Sequence, residues 1–164
     1  MRLVKKFFVL LIFFLIFLTQ GVILASESNL PKTTVNPDNY LIYPIKRLIE
    51  KAIILTKLSQ QAKTDYYKYL VLTRLAELKY VVENKMIGEV QTSTQRLSYQ
   101  IGILTDYINL NGVLTKNKRT ENEFLSKYKT MLENLRDQYP ANSSYWMLVQ
   151  HSINSIDINL EKLK

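Results

Sequence analysis

The sequence predicts an all-α protein, an up-and-down antiparallel bundle of about five helices behind an N-terminal hydrophobic signal or anchor helix. Two observations carry this. From Tyr43 to the C-terminus apolar residues recur at spacings of three and four, and no useful length alternates with a period of two. Ahead of that pattern, an unbroken apolar run from Phe7 to Leu18 follows the cations Arg2, Lys5 and Lys6.

The opening run has the charge-then-apolar layout of a secretion signal, and "VILAS" offers a cut after Ala25. The competing reading keeps Phe7 to Leu24 as a membrane anchor. At about 18 residues that stretch is near the lower limit for a span, and Thr19, Gln20 and Gly21 interrupt it. Either way the flanking cations hold the N-terminus inside and the remainder lies outside, so the expected location is extracytoplasmic, secreted or anchored to the cell membrane. Residues 26–41, "SESNLPKTTVNPDNYL", carry two prolines and no apolar period and read as a flexible linker. Residues 42–164 form the bundle domain.

Composition narrows the chemistry. With no cysteine there is no lipidation site, disulfide or thiolate metal site, so the core alone must hold the domain. The net charge of +8 falls to +5 without the three leading cations, an ordinary excess for a protein near anionic lipid or wall polymer. Nucleic acid is not an expected partner, since the excess is small and no binding motif is present.

The elements follow in order. Pro44 suits a first helical position, where a missing N–H costs nothing. Ile45, Leu48, Ile49, Ala52 and Leu55 then share one face, expected to turn inward. "LSQQAKTD" (58–65) breaks the stripe, with Ser59 as a candidate cap. A second helix runs from about Gln60 to Asn84, with Tyr67, Leu70, Val71, Leu75, Leu78 and Val82 inward and Tyr66, Tyr69, Ala76 and Tyr80 on its flank. A turn around Gly88, where a left-handed residue is cheap, leads to a third helix. Its core face is Val90, Thr94, Leu97, Ile101, Leu104 and Ile108, and a second set, Tyr99, Ile103, Tyr107 and Leu110, suggests cover on two sides. "NGVLTKNKRTEN" is the longest break. A fourth helix shows Phe124, Tyr128, Met131, Leu135 and Tyr139 and ends at Pro140. "ANSSYW" caps a last helix with Trp146, Val149, Ile153, Ile156, Leu160 and Leu163 inward.

The start "YPIKRLIEK" (Tyr43 to Lys51), followed some 25 residues on by "TRLAEL" (Thr73 to Leu78), resembles an exported bacterial family catalogued as domain of unknown function 5667. The resemblance covers about residues 40–108. In that family a proline-led helix with a basic pair and a glutamate precedes a helix with an Arg-Leu-Ala-Glu type box. This chain departs from it in a tyrosine-rich second helix, where the family is commonly rich in alanine and acids. The resemblance implies an exported or membrane-tethered helical domain and supplies no activity.

If the first two helices form a hairpin turning near Gln60, Glu50 faces the neighbourhood of Arg74, and Lys46 or Arg47 faces Glu77. Glu50–Arg74 and Arg47–Glu77 are therefore expected as structural ion pairs that set the hairpin register. The alternative makes Lys46, Arg47, Lys51 and Lys57 a docking stripe for an anionic partner. The cluster Lys116, Lys118 and Arg119 reads as a solvated linker, or as a contact for lipid phosphates or wall polymer. No catalytic, cofactor or metal set is expected. His151 is the single histidine and reads as an exposed helix residue. There is no Gly-x-Ser-x-Gly elbow and no Ser-x-x-Lys box, and the four glycines are not clustered.

The expected role is thus a non-enzymatic, extracytoplasmic interaction or scaffold module. Its partner is an unidentified protein or an anionic cell-surface component, with membrane contact through the N-terminal segment if that is retained. The alternative is a periplasmic-type chaperone that shelters apolar peptides in a tyrosine-lined groove.

Overall fold

The computed structural model describes residues 30–33, 36–111 and 115–164, with the side chains of 115–119 and 121 excluded. The hydrophobic run of residues 7–24 and the cut after Ala25 lie outside the described residues. Within them the chain is all-helical, with no strand. The helices are α1 (Ile42–Thr56), α2 (Gln60–Glu83), α3 (Val90–Leu110), α4 (Thr115–Lys127), α5 (Lys129–Arg136) and α6 (Ser144–Lys162), with a 3-10 turn at Ile87–Glu89. Five of them, α2 to α6, make the compact packing. Helix α3 lies between α2 and α6, and α6 in turn carries α4 and α5.

Local chemistry explains most boundaries. Asn39 Oδ1 accepts from the N–H groups of Leu41 (3.2 Å) and Ile42 (2.9 Å), so α1 starts two residues before Pro44, which falls in the first turn. Ser59 Oγ accepts from Ala62 N at 3.1 Å and opens α2; Ser143 Oγ accepts from Trp146 N at 3.2 Å and opens α6. Helix α2 ends in a Schellman arrangement: Met86 N donates to Val81 O (2.9 Å) and Lys85 N to Val82 O (3.1 Å). The left-handed residue of that turn is Lys85, φ 55°, not Gly88, which sits in the 3-10 turn.

The core is built from the periodic positions. Leu75, Leu78 and Val82 of α2 meet Val90, Leu97, Ile101, Leu104 and Ile108 of α3, and Val149, Ile153 and Ile156 of α6 close the other side. Every residue from Leu70 to Leu78 is buried, polar ones included, which makes α2 an enclosed rod over that stretch. At the α3–α6 seam Ser152 Oγ donates to Thr94 O (3.3 Å), and small hydroxyl residues let the two helices close.

Four expectations are corrected. Tyr99 and Leu110 stand exposed, so the second side of α3 is not covered there. The fourth helix is two, parted at Tyr128, and it buries Leu125, Leu132 and Leu135, while Phe124, Tyr128, Met131 and Tyr139 only lean on the core. The stretch "TKNKRT", expected as a linker, lies in α4 from Thr115 onward. The segment expected to be a flexible linker is partly fixed: Leu30 packs against the core, and Pro37 is buried, its carbonyl accepting from Arg96 Nη1 at 3.4 Å.

Candidate functional site

The largest departure from the sequence pattern is at α1. Its inward residues are Tyr43 and Glu50, and the stripe expected to face the core points outward: Ile45, Leu48, Ile49, Ala52 and Leu55 are all exposed. Leu48 retains 69% of its surface and Leu55 81%, with Leu41, Ile42 and Leu58 exposed beside them. At 3.6 residues per turn these positions with Pro44 span roughly 160° of the helix. Periodicity says which residues share a face; it does not say which way that face turns.

The seam that α2 offers explains the inversion. Arg74 is fully buried and Glu77 is 1% exposed, so an apolar helix face laid over them would leave the two with only each other, and Arg74 Nη2 and Glu77 Oε2 without partners in a dry site. The polar face of α1 meets most of that demand instead, with Arg74 Nε left without a hydrogen-bond partner among the described residues. Arg74 Nη2 pairs with Glu50 Oε2, and Arg74 Nη1 donates to Glu77 Oε1 (2.5 Å) and to the Tyr43 hydroxyl (2.8 Å). That hydroxyl donates to Glu77 Oε2 at 2.9 Å. Lys46 Nζ completes Glu77 at 2.6 Å, and Arg47 Nη1 completes Glu50 at 2.9 Å. Tyr66 on α2 donates its hydroxyl to the Glu50 carbonyl at 3.3 Å. The Arg96 guanidinium lies 4.0 Å from the Tyr43 ring centroid. Partner numbers fall on α2 as they rise on α1, so the two helices run in opposite senses here.

The electrostatics follow from this packing. Burial pushes the Glu77 carboxyl up, but the Arg74 and Lys46 cations outweigh burial and hold it below the usual carboxylate range. Burial works against the Arg74 charge, and Glu77 and Glu50 overcome it and raise the guanidinium above its ordinary value. Burial first, and the Glu77 charge second, push the Tyr43 phenol up to about 12.

All four residues expected at the register-setting pairs, Arg47, Glu50, Arg74 and Glu77, are therefore in one network, with one change of partner. Glu77 is met by Lys46, and Arg47 turns to Glu50 three residues on. Sequence reasoning missed Tyr43 as a bridge, although its spacing of seven from Glu50 puts the two on one side of α1. Lys116, Lys118 and Arg119 fall on α4, their side chains outside the described residues. The tyrosines pair with one another: Tyr66 with Tyr69 at 5.9 Å between centroids and Tyr67 with Tyr107 at 5.0 Å.

A shallow depression of about 500 Å³ between α3 and α6 holds Ser98, Leu148, exposed His151 and Asn154, with no acid or amine for catalysis. Among the described residues no three His, Asp or Glu side chains gather to hold a metal, and no helix is long and apolar enough to cross a membrane. The outward face of α1 is thus the feature that calls for a function. Burying seven large apolar side chains is worth on the order of 10 kcal/mol, so a surface that covers this face gains a large driving force. A contiguous exposed apolar face of this kind is characteristic of contact sites.

No family model matches the chain, and neither the curated proteins nor the solved structures include a match to it.

Proposed function

We propose that the protein is a non-enzymatic, extracytoplasmic docking or scaffold module. In this reading it is an up-and-down antiparallel bundle, secreted or held at the membrane by its N-terminal hydrophobic segment, in keeping with the exported family it resembles over residues 40–108. The observation that carries the proposal is α1. Its charged face is consumed within the protein and its apolar face is left for a partner. A chaperone would use a tyrosine-lined groove, whereas Tyr66, Tyr67, Tyr69 and Tyr107 spend their rings on each other, which favours the docking reading.

The test places a photo-crosslinking residue at Leu48, with exposed Thr130 on α5 as control, in cells that also carry a compartment reporter at the C-terminus. The expected result is a reporter active only outside the cytosol and an adduct, to a discrete protein or to lipid, from position 48 but not 130. A reporter active only in the cytosol, or equal labelling at both positions, would sink the proposal.

A further inference from the structure

We infer that the outward face of α1 lies flat on a lipid bilayer rich in acidic headgroups. The inference rests on the extracytoplasmic docking reading and names the partner of that same face.

Three observations lead there. The first is the shape of the charge pattern. On the α1 wheel the apolar arc of Ile42, Ile45, Leu48, Ile49, Ala52 and Leu55 is bracketed by Lys51 on one edge and by Lys57, at the C-cap, on the other, while Lys46 and Arg47 are held by Glu77 and Glu50. That is the pattern of a helix lying in the plane of a membrane, with apolar residues in the acyl boundary and basic stems reaching up to phosphates. An isolated helix of this kind turns its polar face to water; here α2 receives it through Arg74 and Glu77.

The second is reach. Leu30 packs against the core, and the apolar run ends at Leu24. Six residues span at most about 20 Å, so a membrane-held apolar run places the bundle beside the bilayer.

The third is what the pattern rejects. A second copy meeting this face about a two-fold axis would bring Lys51 and Lys57 of both copies to the seam with no carboxylate to meet them, because the one carboxylate of α1, Glu50, is already buried between Arg47 and Arg74. An acidic lipid surface complements Lys51 on one edge and Lys57 on the other.

The absence of native cysteine makes the test clean. Full-length Leu48→Cys and Thr130→Cys variants carry an environment-sensitive fluorophore and are reconstituted into vesicles of mixed phosphatidylglycerol and phosphatidylcholine. The expected result is a blue-shifted label at position 48, quenched severalfold more by nitroxide-bearing lipid than the label at 130, with the difference reduced in pure phosphatidylcholine. Several outcomes would overturn the inference: equal quenching at the two positions, no dependence on acidic lipid, or dimers cross-linked through position 48. A water-exposed label at 48 that still gives a discrete protein adduct in cells defeats the lipid assignment and leaves the docking reading standing. A reporter active only in the cytosol defeats both.

Discussion

Replacing Arg74 with methionine isolates the element that fixes α1. The substitution keeps the volume of the stem and removes a cation that touches Glu50, Glu77 and the Tyr43 hydroxyl. Glu77, 1% exposed, then keeps Lys46 and the Tyr43 hydroxyl, and Glu50, 8% exposed, keeps Arg47. Breaking a buried pair costs about 3–5 kcal/mol, and the surviving partners put the expected loss near the lower end, about 3 kcal/mol. For a domain of this size that is roughly 10 °C in Tm. Urea unfolding followed by circular dichroism measures it, and a cycle with Glu77→Gln should show about 1–3 kcal/mol of coupling. The pH dependence gives a second handle. The folded carboxyl titrates below its ordinary value of 4.5, so its contribution is complete above that pH and is lost as pH falls below it. Glu77→Gln should flatten this acid limb. An Arg74→Met protein within about 0.5 kcal/mol of wild type, or single effects that simply add, would refute the reasoning. Exchanging the charges at 50 and 74 should not rescue, because a carboxylate at 74 would lie against Glu77.

Tyr43→Phe removes the hydroxyl between Arg74 and Glu77 and should cost about 1–3 kcal/mol. The phenol is raised from 10 to about 12, so its share of stability is present below pH 10 and lost as pH rises towards 12, and the phenylalanine variant should lack this alkaline limb in a pH–unfolding series. Lys85→Gly relieves a left-handed lysine at the end of α2 and should raise the urea midpoint, by about 0.5–1 kcal/mol in stability. Leu48→Ser on the outward face should stay within about 0.5 kcal/mol of wild type in thermal melts, whereas Leu78→Ala in the core should lose about 2–5 kcal/mol.

Much of the candidate site was legible before any coordinates. The hairpin geometry brought Glu50 to Arg74 and cations to Glu77, because two helices joined at a short turn must place residues equidistant from it side by side. Which lysine or arginine took Glu77 was not legible: Lys46 and Arg47 are adjacent, both stems are long, and the choice depends on the roll of α1 about its axis. The Tyr43 hydroxyl was missed because a tyrosine beside a proline reads as helix-start packing until the charges beneath it are seen.

By itself the sequence determined most of the helical stretches, though neither the helix over Thr115–Lys127 nor the break at Tyr128, and which residues travel together on one side of each helix, because a 3.6-residue repeat is a local property of the backbone. It determined the caps at Ser59 and Ser143 and the cores of α2, α3 and α6 for the same reason. Only the tertiary structure decided how α1 is rolled. That choice is set by the desolvation of Arg74 and Glu77 on a neighbouring helix, a cost that exists only once the bundle has closed around them.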